Sequence, residues 1–399
     1  MMDAKASQNR AAILLLALSV FAISTAEMLP MGLLLEIGQD YQVSIKTAGL
    51  VVSVYALGVV IGGPLLTVWT AKVPRKALLI SLLGLFLGGS LLSALAPTYA
   101  ALLAGRAISA IAQGAFFGVG VVFASQLAQP GREGATIALV ASGLTLATVL
   151  GGPLGTLLGQ YAGWRAPFFA IALITLISMA GIFRLVPRVP LQEVPKFSEQ
   201  VRVILRPQLL LALSTTVFSF AGVFLVLTYI APLLEGITQL PTSAISPILL
   251  LFGLGTAIGN FLGGRLADKR LHATIFWFLV ADTIIMMTFA FTSHFAVPAV
   301  ITLFLWGLSS FALVTPSNIR VLQHSEGAQD LASSLNIAAF NLGNAGGAFI
   351  GGYVVESVYG LQGLPVAAAL MAVIGIALLL WGLAWERRAS CGKSNPQSG

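Results

Sequence analysis

Apolar runs about twenty residues long recur from one end of the chain to the other, separated by short polar breaks. A bilayer core takes about 20 helical residues to cross. Within lipid, only helices and closed barrels satisfy all their own backbone groups. Composition agrees: 57% of the residues are apolar and 9% are charged, where soluble domains carry about 25% charged residues. The chain is therefore expected to be an all-α membrane protein. Twelve spans are expected, near 11–35, 45–70, 77–96, 99–127, 135–160, 165–186, 207–233, 244–266, 273–293, 296–318, 333–356 and 363–385. Several exceed a perpendicular crossing, which predicts tilt.

Orientation follows from Lys and Arg, which are retained on the cytoplasmic side. With the N-terminus inside, eighteen of the twenty-one fall in cytoplasmic segments, among them Lys72, Arg75, Lys76, Arg132, Lys269, Arg270, Arg387 and Arg388. Lys46 and Arg165 fall outside, and Arg106 lies within a span. The reversed topology inverts this ratio, so both termini are expected in the cytoplasm, with the protein in a plasma membrane, the inner membrane of a bacterium. The net charge of +7 then reflects topology, and no nucleic-acid partner is expected. A signal peptide over residues 1–26, with Lys5 and Arg10 as its basic start and Ser24-Thr25-Ala26 as its cleavage site, fits poorly because the apolar stretch continues past Ala26.

The single cysteine, Cys391, excludes an intrachain disulfide, and His272, His294 and His324 lack metal-ligand spacing. Gly392-Lys393-Ser394 resembles a fragment of a nucleotide loop, but Arg387 stands where the upstream glycine belongs and no strand precedes it. No cofactor is expected, and ATP bound to this chain is not expected to drive it.

The longest soluble stretch, 187–206, divides the chain into residues 1–186, a cytoplasmic linker, and residues 207–399. The two parts echo one another. Gly58-Val-Val-Ile-Gly62 in span 2 matches Gly255-Thr-Ala-Ile-Gly259 in span 8 at an offset of 197, and Glu27 precedes Pro30 as Tyr229 precedes Pro232. Parallel half-repeats in a membrane protein point to a transporter with its substrate between the halves.

Glycine and alanine recur at steps of four: Gly143, Ala147, Gly151, Gly155 and Gly159 in span 5, and Gly255, Gly259 and Gly263 in span 8. Gly58 and Gly62 in span 2, and Ala339, Gly343, Gly347 and Gly351 in span 11, repeat the device. Such faces let helices approach closely. They serve either as fixed packing or as surfaces that slide.

Three charges lie within spans. Glu27 sits in FAISTAEMLPMGLL, residues 21–34, and a carboxylate at a span centre costs about 2.5–3.5 kcal/mol on insertion scales. Glu27 and Arg106 each lie about eight residues from the outer ends of spans 1 and 4, roughly 12 Å deep at 1.5 Å per residue. Gln113, two turns below Arg106, faces the same way. Either Glu27 exchanges protons with a cavity while Arg106 tunes it, or the two form a permanent salt bridge that fastens two helices. Asp282, in span 9, is expected to have a local structural partner. Tyr55, Tyr229 and Asn341 offer hydrogen bonds to a ligand among Phe116, Phe117 and Phe340, unless these residues serve packing.

Several stretches together resemble the major facilitator superfamily, in particular its twelve-span drug:proton antiporters and their arabinose-efflux-permease-like branch. They are Thr25-Ala26-Glu27-Met28-Leu29-Pro30-Met31-Gly32-Leu33-Leu34, Gly114-Ala115-Phe116-Phe117-Gly118, Gly152-Pro153 followed by Gly163-Trp164-Arg165, Gly259-Asn260-Phe261-Leu262-Gly263-Gly264-Arg265-Leu266-Ala267-Asp268, and Phe340-Asn341-Leu342-Gly343-Asn344-Ala345. The resemblance covers essentially the whole chain. It implies two pseudo-symmetric six-helix bundles, with spans 1, 4, 7 and 10 around a central cavity and moving contacts between spans 2 and 11 and between spans 5 and 8. Gly151, Gly152, Pro153, Gly155, Gly159, Gly259, Gly263, Arg265 and Asp268 become gating residues on that reading. Asp268 is read as a latch at a helix N-terminus or else as a solvated loop charge.

The chain departs from the family pattern twice. Ala71 stands where the first-half loop motif has aspartate, and Gln113 stands where many of the branch place histidine. An amide does not titrate near neutral pH, so a proton role for that histidine does not pass to Gln113. The implied function is proton-coupled export of small amphipathic, drug-like or sugar-like molecules by a functional monomer, with the proton as coupling ion. Uptake is the alternative. A membrane enzyme would require a nucleophile–base or metal constellation, and none is found in the spans. A receptor would not require a buried carboxylate opposite a buried arginine in a duplicated frame.

Overall fold

The computed structural model describes residues 2–70, 73–129, 132–186, 206–325 and 329–393. Apart from Arg206, the expected linker 187–206 lies outside the described residues, as do Ala71, Lys72 and Ser394. The first part contains α1 (Met2–Gly32), α2 (Leu34–Asp40), α3 (Ile45–Trp69), α4 (Arg75–Leu95), α5 (Tyr99–Leu127), α6 (Glu133–Leu146), α7 (Gly152–Ala162) and α8 (Ala166–Leu185). The second contains α9 (Pro207–Leu227), α10 (Ile230–Gly236), α11 (Ile245–Thr292), α12 (Ala296–Phe311), α13 (Val314–Gln323), α14 (Gln329–Glu356) and α15 (Gly363–Lys393).

Among the described residues, ten stretches are long and apolar enough to cross a bilayer. The expected eighth and ninth spans fall within one of them, Thr242–Thr292, where Arg270 alone leaves helical geometry at φ −150°. The expected eleventh, within α14, is not one of the ten, because Asn336, Asn341 and Asn344 dilute its apolar residues. Large apolar side chains such as Ile61, Leu154, Phe183, Trp277 and Phe291 cover the outside, as a lipid-facing surface requires.

Local sequence explains the helix boundaries that matter here. Ser44 and Thr98 cap α3 and α5 by accepting from the amides of Thr47 and Ala101. Pro30 has no amide hydrogen, so the carbonyl of Ala26, four residues earlier, loses its helical donor deep in the bundle. The chain breaks soon after, at Leu33, and resumes as α2. In the expected fifth span, a π-helical turn over Ala147–Gly151 precedes Pro153, and the amide of Gly152 reaches back to Ala147.

Gly163, at φ +85°, turns the chain out of α7 in a conformation that disfavours any side chain. The turn delivers Trp164 and Arg165 to Asp40: the guanidinium lies 2.6 Å from the carboxylate and the indole N–H donates at 3.1 Å. Arg165 holds the Asp40 carboxyl below the usual carboxylate range, chiefly by that hydrogen bond. A depressed folded-state value means that the stabilisation is present above the unfolded pKa, about 3.9, and lost as pH falls through the folded value. Asp40→Asn is therefore expected to melt lower than the parent at pH 7, by no more than about 1 kcal/mol for so exposed a pair. In thermal melts the difference should shrink as pH falls below the unfolded pKa and close once the folded carboxyl is protonated, and one that persists at strongly acidic pH would contradict this assignment.

The glycine ladders pack within each part. Gly151 and Gly155 face Thr25 and Leu29 of α1, Gly159 faces Leu33 at the break after α1, and Gly143 faces Ala17 and Val20. Gly343 and Gly347 face Val217 and Ala221 of α9. A side chain on Gly58 would meet Ala107 and on Gly62 Ile111, whereas Gly255 and Gly259 stand against Phe304 and Leu308. The offset of 197 read between glycines therefore also separates their packing partners. Of the two readings open for the ladders, fixed packing and sliding, these contacts fit fixed packing: their backbones lie against neighbours in the same part, although span 2 does meet span 11 and span 5 meets span 8. The close approaches between the parts fall on glycines outside the ladders, Gly253 against Thr148 and Val149, Gly49 against Tyr229, and Gly352 against Lys46.

Candidate functional site

Glu27 is 5% exposed, within a helix that apolar residues dominate. Its carboxylate accepts from Gln113 Nε2 at 2.7 Å on one oxygen and from Asn344 Nδ2 at 3.1 Å on the other. Gln113 stands on α5 in the first part and Asn344 on α14 in the second, so two amides from opposite parts hold one acid. The Tyr55 hydroxyl donates to Gln113 Oε1 at 2.5 Å and fixes which end of that amide faces Glu27. Hydrogen bonds to a charged group contribute about 1.5–3 kcal/mol each. Two of them match the insertion cost of a carboxylate, about 2.5–3.5 kcal/mol, without a counter-ion.

Arg106 does share the level of Glu27, but it closes no salt bridge to it. Its Nη1 donates at 2.6 Å to the Ala26 carbonyl, the acceptor that Pro30 frees, and its guanidinium lies 3.8 Å above the Tyr55 ring. The expected direct pair is thus replaced by a chain: Arg106 stacks on Tyr55, Tyr55 orients Gln113, and Gln113 bonds Glu27.

The other expected ligand residues are dispersed. Phe116 is buried in the core of the first part and Phe117 packs against that core. Phe340 packs on Phe220 and Phe224, with ring centroids 4.3 and 5.4 Å away. Asn341 donates to Ile337 of its own helix, leaving its Oδ1 unpartnered. Tyr229 donates to the Ala348 carbonyl at 2.8 Å and fills the space over Gly49, Gly351 and Gly352, away from Glu27. A small apolar pocket lined by Met28, Met31, Leu227, Leu249 and Phe252 opens between the two parts beside the π-helical turn.

Of the expected gating residues, Gly152 faces Met28 and the Pro153 carbonyl accepts from Ser246 at 2.8 Å across the parts. Gly263 faces Ala312. Arg265 lies over the Phe261 ring at 5.2 Å, and Asp268 is exposed without a hydrogen bond or ion pair among the described residues. Asp282 accepts from Ser310 at 3.1 Å.

Three groupings were not read from sequence. Asn344 was quoted only as part of a motif, although it stands three residues from Asn341, the spacing of helical neighbours. Arg320, counted among the cytoplasmic basic residues, is 1% exposed, bonds Thr215 at 3.2 Å and lies 3.8 Å from Glu386, which also meets His324 at 3.1 Å. At the end of the molecule opposite the termini, Lys46 meets Glu356 at 2.9 Å and sits 3.8 Å over the Tyr353 ring, while Ser44 donates to the same carboxylate at 3.0 Å.

Residues 16–327 match the family model described as Major Facilitator Superfamily. The chain belongs to that superfamily. It is 40% identical over 368 residues to the inner membrane transport protein YdhP of Escherichia coli K12, covering 92% of this chain and 94% of that one. It is 31% identical over 373 residues to a chloramphenicol resistance protein of Streptomyces lividans, covering 92% and 94%. The solved structure of a bacterial homologue of the human lysosomal transporter Spinster, inward-facing and unoccupied, matches with a TM-score of 0.75 over 94% of this chain and 97% of that one. Its 16% identity speaks for the superfamily fold alone. The protein is a multi-pass membrane transporter of the superfamily and not an enzyme.

Lys46 and Glu356 join the two parts, so the charge swap Lys46→Glu with Glu356→Lys is expected to retain most of the transport activity that either single reversal loses. Equal activity in the singles and the double, measured in vesicles, would show that the pair does not hold this end closed.

Proposed function

We propose that the protein exports small amphipathic molecules, drug-like or sugar-like, in exchange for protons. Twelve spans form two six-helix halves, residues 1–186 and 207–399, when Thr242–Thr292 is taken as two crossings about Arg270 and α14 as one. The excess of Lys and Arg on one side supports a plasma membrane location with cytoplasmic termini. The chain acts as a monomer whose halves rock about the Glu27 level.

One observation carries the reading. Glu27 is buried between the halves and held by neutral amides from both, with the nearby Arg106 guanidinium bonded to the Ala26 carbonyl and not to the carboxylate. A carboxylate so placed can gain and lose a proton as the halves exchange access, and substrate and proton then compete for one region. The relative named for chloramphenicol resistance supports a drug-like class, and YdhP supports the inner membrane.

The test is flux. Purified protein in liposomes with an imposed pH gradient, challenged with a panel of drug-like and sugar-like compounds, is expected to move protons on addition of at least one compound, outward as that compound accumulates inside. Compound movement indifferent to the gradient, with no accompanying proton flux, would overturn the proposal.

A further inference from the structure

Of the two amides on Glu27, only one can respond to the position of the halves. Gln113 belongs to the same half and is locked by Tyr55, which occupies its oxygen. Asn344 belongs to the other half, is fully buried, and has an Oδ1 with no partner. Its bond to Glu27 therefore exists only when α14, packed against α3 of the first part, brings Asn344 to the carboxylate as it does here. The groups around Glu27 are few: Arg106 and Gln113 from α5, Tyr55 from α3 and Asn344 from α14. Among the described residues, the helices that meet α1 through Gly143, Gly151, Gly155 and Gly159 bring no titratable side chain to Glu27.

We infer that Asn344 is the positioning residue through which the protonation of Glu27 biases the arrangement of the two halves. The inference rests on the proton-exchange reading of Glu27 and deepens it. The Asn344 N–H bonds the carboxylate in a charge-assisted contact. Once Glu27 is protonated, the amide must turn over to offer Oδ1 to the acid hydroxyl, and the neutral bond then formed is about half as strong. Loss of the proton therefore favours the present arrangement, and gain of the proton releases it. By linkage, an empty, deprotonated site resists moving, which suppresses futile exchange of the halves. Removing the Asn344 amide should uncouple conformation from pH while leaving Glu27 able to titrate.

The experiment measures the closed fraction at the end of the molecule opposite the termini. Spin labels on cysteines placed at Gln39 and Val358, both exposed there, report the distance between halves after Cys391→Ser. In the otherwise unaltered protein the ratio of arrangements is expected to change roughly fivefold across the titration of Glu27. In Asn344→Leu, and in the smaller polar Asn344→Ser whose hydroxyl falls short, it should change less than about twofold, and transport should show leak of substrate without protons. Asn344→Gln, which keeps the amide, is expected to restore part of the response. A full pH response in both the Leu and Ser variants overturns the inference. So does a pH-independent ratio in the parent when that parent still exchanges protons for substrate in liposomes, a result that leaves the proton-exchange reading standing. Failure of that exchange in the parent overturns both.

Discussion

Glu27→Gln is expected to transport substrate down its own gradient at a rate close to that of the parent and to lose accumulation against a gradient altogether. The substitution keeps the shape of the side chain. Its carbonyl can accept from Gln113, and its amide can donate to Asn344 once that residue turns its unpartnered Oδ1 inward. Both hydrogen bonds therefore survive, and expression and melting temperature should change little. What disappears is the capacity to ionise. A gradient-driven uptake assay in inverted vesicles, paired with gradient-free exchange, separates these effects. If the variant accumulates substrate as the parent does, Glu27 is not the coupling group. If it fails to fold, the acid serves helix packing instead.

The second large effect separates two kinds of glycine. A methyl group on Gly259 would stand 2.0 Å from the Leu308 carbonyl oxygen, and one on Gly263 would stand 2.0 Å from that of Ala312. Those neighbours are backbone within the same half and cannot give way, so Gly259→Ala should cost about 3 kcal/mol, the upper part of the range for overpacking. A methyl group on Gly253 would meet the Thr148 carbonyl oxygen at 2.7 Å and Val149 Cα at 2.8 Å, across the halves. Here the halves can part. Gly253→Ala is therefore expected to melt near the parent but to lose most transport, because the present arrangement becomes costly. Melting temperatures by tryptophan fluorescence, together with the label distance across the halves, distinguish the two. A large stability loss at Gly253 with none at Gly259 would contradict the assignment of fixed and moving contacts.

The class of fold was legible because twenty-residue apolar runs have few solutions in a bilayer. The duplication was legible in Gly58 and Gly255 because close helix packing tolerates little but glycine at those positions. The sequence also singled out Glu27, Gln113 and Tyr55, since polar residues in spans are few. It did not show what each polar group touches. Arg106 was paired with Glu27 by depth and charge, but depth does not include the carbonyl that Pro30 leaves open at Ala26, and that acceptor takes the guanidinium. The ladders identified close packing but not its partner, because a face of small residues looks the same against a fixed neighbour and a moving one. Asn344 was hidden for another reason: its partner lies 317 residues away, and no local pattern marks such a pair.

Substrate-induced proton release tests the central claim most directly. With protein in detergent at weak buffering, a pH-sensitive dye should register protons released when a transported compound is added, and the release should vanish in Glu27→Gln while compound binding persists. Equal release from the parent and from Glu27→Gln would contradict the account, because the exchanged proton would then reside elsewhere.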